Sequence, residues 1–425
     1  MEYLTPEFEE QSQPRQWKEH DGAFDQAVEQ FGSIDSDDRR WAIYDLEEYT
    51  PTLTVDLMVR AIQDEHRAVR EAAAEVLRNN PAEICATKLV PLLGGPRIEV
   101  RNIVASVLTS LGDGAVDALN HALFHENEDV RKFGADILGL NGSHEAVAEL
   151  CKACYDPVEN VAVSAVEALG KIRSGDALPT LYDVFEKEIY LRKEAVEAIG
   201  MIGDASAVAF LESRLDTDDP LELYSILDAL GNIGAAGIVD RLTDLLSNID
   251  GPLREQTFWT ILKIGRINET NVLNGITLPP ELFKNGFGLN NEQLGYLDYQ
   301  LSLKPNRQVL QTFYQRKDQL PVGLLVTLVK STPPEAHFEE AVLNLTEHAD
   351  DWLAYSATEA LARFDSPAVK SAIMKKLNEG RSLAVIAAIK LAVQLDIDEA
   401  RAAIAKLVES DDEDISTAAR QALGE

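Results

Sequence analysis

The sequence predicts an all-α protein, an α-solenoid of about 11 to 12 stacked helical-hairpin repeats. Three observations carry that reading. A ten-residue string returns at a fixed period, apolar residues fall at helical spacing within and before it, and turn residues punctuate the intervals. The string reads VREAAAEVLR (69–78), VRNIVASVLT (100–109), VRKFGADILG (130–139), VAVSAVEALG (161–170), LRKEAVEAIG (191–200) and ELYSILDALG (222–231), its last positions 31, 30, 31, 30 and 31 residues apart. Units of this size cannot bury a core alone and must stack on their neighbours.

Taken in order, residues 1–36 lie outside the period, are acidic, and read as an N-terminal cap over the first repeat's open face. Repeats begin with RWAIYDLEEY (40–49), and each unit then gives two helices. The first carries helical apolar spacing, as in TVDLMVRAIQ (54–63) or GAVDALNHALF (114–124), and the second is the string itself. Asp, Asn, Gly and Pro recur where one helix must stop and the next be capped: QDEHRAV, NNPAE, GGPR, ENEDV, DPVEN, DTDDPLE and NIDGPLR.

LREQTFWTIL (253–262) still keeps step, but 266–305 holds Pro279-Pro280, four glycines between Gly275 and Gly295, and no clean register. Periodicity returns in QVLQTFYQR, VGLLVTLVK and FEEAVLNLTEH, then regularly in LAYSATEALA (353–362), LAVIAAIKLA (383–392) and ISTAARQALG (415–424). The expected organisation is a cap (1–36), a first repeat block (37–265), an irregular insert or hinge (266–305) and a second repeat block (306–425). Limited proteolysis is expected to cut first within 268–295.

Composition narrows the partners. The formal net charge is −33, from 72 acidic and 39 basic residues, which repels phosphate backbones and anionic lipid surfaces. Neither nucleic acid nor membrane is expected as a partner. Two sources of acidity remain open: adaptation to high salt, or attraction of a basic partner. Residues 1–265 carry 49 acidic and 23 basic residues against 23 and 16 in 266–425, an unevenness that a solvent-wide adaptation does not require. Three cysteines, Cys85, Cys151 and Cys154, fit a reducing compartment without a disulfide framework. The start lacks a basic and an apolar signal region and no stretch approaches 18 apolar residues, so a cytoplasmic protein is expected.

The Asp-x5-Arg spacing with its Ala-Leu-Gly close, seen at Asp64 with Arg70 and, with the arginine replaced, at Asp156 with Ala162, resembles HEAT repeats of the phycobilin-lyase-like class. The resemblance covers 38–265 and 351–425. It implies the solenoid fold and little about activity, since that class includes scaffolds, lyases and hydroxylases. Its deoxyhypusine hydroxylase branch implies His-Glu pairs holding two irons. The matching places here are Arg70-Glu71, Lys132-Phe133 and Lys193-Glu194, and the single His144-Glu145 pair cannot build the centre, so no metal is expected. Its lyase branch implies a groove for an anionic tetrapyrrole. Arg39, Arg70, Arg101, Arg131, Arg192 and Arg254 form a column suited to propionates, but the resemblance equally implies a structural ladder in which each arginine bonds an Asp or a carbonyl at a neighbouring turn.

Cys151-x-x-Cys154 lacks the second pair that a structural zinc needs and sits in a helical pattern, so both thiols read as small core groups. No Walker loop, GxGxxG or GxSxG string is present, and no catalytic residue or cofactor is assigned.

One position is not spent on the core. Three residues before each anchor, about 200° from the buried Leu at 100° per residue, stand Tyr44, Glu75, Ser106, Asp136, Glu167, Glu197, Asp228 and Trp259. In HEAT-like folds second helices line the concave side, so the resemblance implies an acidic inner wall with aromatic ends, suited to another protein's basic segment. A solvated face serving solubility alone is the alternative. The leading function is therefore a non-enzymatic scaffold or adaptor; a bilin lyase and a regulator in a signalling or motility assembly are the alternatives.

Overall fold

The computed structural model describes residues 16–276, 278 and 289–424. Among the described residues the chain is helical throughout, with no strand and a single isolated bridge between Lys18 and Tyr49. It divides into two compact units at Phe210/Leu211.

The first unit holds α1 (Gly22–Phe31), α2 (Ser36–Leu46), α3 (Pro51–Ala61), α4 (Arg67–Arg78), α5 (Ala82–Leu89), α6 (Ile98–Ser110), α7 (Val116–Ala122), α8 (Glu128–Asn141), α9 (Val147–Ala153), α10 (Glu159–Ile172), α11 (Leu178–Lys187) and α12 (Arg192–Ile202). The division falls inside α13 (Val208–Glu212). The second unit continues with α14 (Pro220–Ile233), α15 (Val239–Asn248), α16 (Gly251–Ile267), α17 (Asn291–Ser302), α18 (Arg307–Gln315), α19 (Val322–Ser331), α20 (Ala336–Leu345), α21 (Asp351–Ala360), α22 (Pro367–Glu379), α23 (Ser382–Gln394), α24 (Ala400–Leu407) and α25 (Glu413–Leu423).

Each recurring string is a second helix of a hairpin, and several of these helices begin at a polar side-chain cap. Asp35 accepts from the Asp37 amide at 2.7 Å, Asn127 from the Asp129 amide at 2.8 Å, and Asp350 from the Leu353 amide at 2.9 Å. These contacts satisfy amides that the first helical turn leaves without partners. Within the first unit second helices pack in succession, α2 on α4, α4 on α6, α6 on α8, α8 on α10 and α10 on α12. Within the second unit α14, α16, α17, α19, α21, α23 and α25 do the same.

The apolar positions of the string are the core. In α10, Val161, Ala165, Val166, Ala168 and Leu169 are all buried. The closing glycine has a steric role: a Cβ on Gly170 would lie 2.9 Å from the Ala198 Cα, and one on Gly139 2.8 Å from the Ala168 Cα. The string ends in glycine where the next second helix brings its backbone close.

At the N-terminal end α1 packs on α2, Asp21 caps α1, and Tyr49 donates to Asp21 at 2.8 Å. Residues 1–15 of the expected cap lie outside the described residues. The expected insert at 266–305 lies within the second unit, where its 291–302 portion is α17, opened by a capping box at Asn290 and Gln293. Residues 277 and 279–288, which the proteolysis expectation includes, lie outside the described residues. The two divisions mark different properties: one where the sequence period lapses, the other where packing separates.

Candidate functional site

The column is built by register. Because second helices of the first unit stack at a 30–31-residue period, Glu75, Ser106, Asp136, Glu167 and Glu197 stand at equivalent places on α4, α6, α8, α10 and α12. Glu75, Ser106, Glu167 and Glu197 are exposed, while Asp136 is half-buried. Tyr44, half-buried on α2, donates its hydroxyl to Glu75 at 3.1 Å. In the second unit Asp228 is exposed on α14 and accepts from Asn232 at 3.0 Å.

Lysines near these carboxylates, absent from the sequence-based expectation, shape this face. Lys132 meets Asp136 at 2.7 Å, Lys171 meets Glu167 at 3.5 Å, Lys193 meets Glu197 at 3.1 Å, and Lys263 approaches Asp228 at 3.9 Å. The Glu197 carboxylate raises the Lys193 ammonium above its ordinary pKa, chiefly by hydrogen bonding. For the first three pairs the signal was available in the sequence as i, i+4 spacing. The face is thus an alternation of carboxylates with local ammonium partners.

Trp259 does not stand at the end of an exposed column. It is buried at 5% exposure, meets Phe258 edge to face at 4.9 Å, and reaches Glu255 with its indole nitrogen at 3.4 Å. The rotation rule failed because α16 is apolar on most of its circumference: every residue from Thr257 to Leu262 is buried, together with Ile264 and Gly265. A helix enclosed on several sides has no free face opposite its leucines.

The arginine column resolves into different linkages. Arg39 grips Asp64 of the next hairpin's turn through Nε at 2.9 Å and Nη2 at 2.8 Å, while Nη1 holds the Ser33 and Ile34 carbonyls of its own turn. Arg131 repeats this arrangement on Asp156, at 2.7 and 3.0 Å, with Nη1 on the His125 and Glu126 carbonyls. Burial alone would raise the Asp64 carboxyl, but the Arg39 guanidinium and the His66 amide outweigh it and hold it below its ordinary range. Arg101 reaches Asp129 at 3.1 Å. Among the described residues Arg70 bonds its own turn, at the Asp64 and Glu65 carbonyls. Arg192 bonds the Phe185 carbonyl at 3.1 Å and Arg254 meets Asp250 at 3.0 Å.

Cys154 is fully buried and Cys151 half-buried at the end of the α9 hairpin arm, and burial pushes both thiols above their ordinary pKa. Cys85 is buried and pushed up to about 11. Such thiols carry little thiolate at neutral pH and make poor nucleophiles. His144 and Glu145 are exposed at a short 3-10 turn before α9. Among the described residues no group of three His, Cys, Asp or Glu side chains is placed to hold a metal ion, and no helix is long and apolar enough to cross a membrane.

Stacked helical hairpins joined by turn-to-turn side-chain links define an α-solenoid repeat protein. Residues 86–170 and 149–225 match the model for HEAT repeats. It is 28% identical over 121 residues to the bilin biosynthesis protein PecE of Mastigocladus laminosus, a match covering 26% of this chain and 45% of PecE, which bears out the resemblance to the phycobilin-lyase-like class. A chain in the structure of Kap95p with RanGDP overlays with a TM-score of 0.50 at 12% identity, covering 94% of this chain and 68% of that one. A chain in the structure of Kap121p bound to RanGTP gives 0.44 at 14% identity, covering 94% and 48%. The likeness to the chain in the Kap95p structure is one of fold.

Proposed function

We propose that the protein is a non-enzymatic scaffold, cytoplasmic, whose second-helix face captures a basic segment of another protein. The observation that supports this is the repeat of exposed carboxylates at one register place, Glu75, Glu167 and Glu197, in a chain of net charge −33. The lysine partners of Glu167 and Glu197 do not cancel the reading. An exposed i, i+4 pair contributes only about 0.3–0.5 kcal/mol, so a carboxylate exchanges a local ammonium for a partner's cation at small cost. A periodic row of such sites matches an extended or helical basic segment, and its field speeds encounter.

The test replaces Glu75, Glu167 and Glu197 together with Lys and measures capture of natural partners by affinity purification and mass spectrometry. Capture of a basic partner should fall at least tenfold with circular dichroism unchanged; undiminished capture sinks the proposal. The similarity to PecE favours a second reading, a protein that handles a bilin. Titration of the purified chain with a bilin decides it, since a saturable absorbance shift supports that reading and an unchanged spectrum removes it.

A further inference from the structure

Arg39 and Arg131 each divide their guanidinium the same way: Nη1 holds the carbonyls of its own turn, and the Nε/Nη2 edge grips an Asp three residues before the next second helix. Arg70 occupies the same place on α4, and its Nη1 holds the Asp64 and Glu65 carbonyls at 2.9 Å in the same manner. Three residues before α6, however, stands Gly95 rather than an Asp. The Nε/Nη2 edge of Arg70 therefore meets no ladder carboxylate, and among the described residues no acid lies within ion-pairing distance of it.

Arg70 lines a groove of about 530 Å³ between α4 and α6, together with Arg67, Glu71, Arg78, Glu99 and Ser106. Among the described residues Arg78 has no ion pair either, and it donates to the Ser106 hydroxyl at 3.3 Å. The groove's two acids are engaged locally, Glu71 with Arg67 at 2.6 Å and Glu99 with Arg97 at 2.8 Å. Two guanidinium groups without an acid partner thus line one groove in a chain with 72 acidic and 39 basic residues. The size lies within the usual range of small-ligand sites.

We propose that Arg70 is a pre-formed carboxylate fork and binds a carboxylate-bearing ligand in the α4–α6 groove, with Arg78 as the second cationic contact. The carboxylate takes the place that Asp64 and Asp156 fill in the sister turns. Two parallel N–H···O bonds from a guanidinium already oriented by its turn give the site its geometry. The ligand is either a small organic acid or an acidic side chain of another protein, and the chemistry at Arg70 is the same.

The test titrates the full chain by calorimetry at low salt, with succinate as the small-molecule probe and an octaglutamate peptide as the protein-segment probe. Wild type should bind at least one saturably, and the tighter probe identifies the source. Arg70→Lys keeps the charge but loses the fork, and should weaken binding at least tenfold. Gly95→Asp installs the missing ladder acid; the backbone there is extended, with φ −70° and ψ 157°, and an added Cβ would lie 3.1 Å from the Leu92 carbonyl oxygen. It should abolish binding while melting at or above the wild-type temperature. Absence of saturable binding by wild type, or wild-type affinity in either variant, overturns the proposal. If Gly95→Asp does not fold, Arg70→Lys alone decides.

Discussion

The two units hold their repeats together with the same two kinds of link in different places, ion pairs and side-chain bonds to carbonyls. In the first, three turn-to-turn links are ion pairs, Arg39 to Asp64, Arg101 to Asp129 and Arg131 to Asp156, beside carbonyl links such as Arg97 to Gln63 and Asn141 to Gly112. In the second, many are side chain to backbone. Asn268 donates to the Gly234 carbonyl at 2.7 Å, Arg363 to the Val329, Lys330 and Thr332 carbonyls, and Arg381 to the Ala349 carbonyl at 2.6 Å. The buried Gln300 amide donates to the Thr270 carbonyl and accepts from the Val272 amide. Burial lowers the Arg363 pKa, yet an arginine keeps its charge at any physiological pH. A carboxylate link titrates and needs a matching acid at a fixed spacing. A carbonyl link does neither.

The largest expected difference concerns the closing glycine. In the first unit a Cβ on Gly170 meets backbone, 2.9 Å from the Ala198 Cα, so Gly170→Ala must push α10 and α12 apart and should cost about 3 kcal/mol. In the second unit a Cβ on Gly231 meets the far end of a flexible side chain, Lys263 Cδ at 3.2 Å. There Gly231→Ala should gain up to about 1 kcal/mol of helix propensity. Urea denaturation of the two variants makes the comparison, and equal effects would remove the claim that second helices approach more closely at Gly170.

Next in size is the pH dependence of the links. Asp64→Asn breaks the fork of Arg39 and should cost about 2 kcal/mol at pH 7. The folded carboxyl titrates below its ordinary 3.8, so its contribution is complete above that value and disappears as pH falls through the lower folded pKa. The penalty of Asp64→Asn should therefore shrink in strong acid. Gln300→Leu leaves the buried Val272 amide without its acceptor and should also cost about 2 kcal/mol, but equally at pH 7 and at about pH 3.5. Denaturation at several pH values checks both, and a pH-dependent penalty at Gln300 would break the contrast.

The same contrast explains what the sequence disclosed. The recurring string announced the second helices because burial demands Val, Ala and Leu at fixed steps, and Asp64 and Asp156 were visible because a side-chain acceptor must be encoded. The carbonyl acceptors at Gly234, Val329 and Ala349 left no mark, because every residue has a carbonyl. At the candidate site, Glu75, Glu167 and Glu197 were placed by helical rotation alone, while Trp259 was misplaced because rotation fixes a direction and not what lies there. Gly95 appeared in the sequence as a member of a turn, GGPR. Its importance emerges only when the turns are overlaid and Arg70 is seen to hold its own carbonyls with no acid opposite.

The smallest expected effect separates stability from recognition on the first unit's face. Lys171 meets Glu167 at 3.5 Å, with the side chains 36% and 50% exposed. A pair in such solvent contributes under about 0.5 kcal/mol, and salt screens it further. Lys171→Ala should thus leave the melting temperature within error. It also removes the ammonium competing for Glu167, so a basic partner should bind more tightly, by about twofold and more at low salt than at high. Lys193→Ala should act likewise through Glu197, at 3.1 Å. Asp228, with Lys263 3.9 Å away, supplies the control from the second unit, because its acceptor is already shared with Asn232. If Lys171→Ala weakens capture instead, the lysines are themselves contacts, and the partner reads the alternating charges rather than the carboxylates alone.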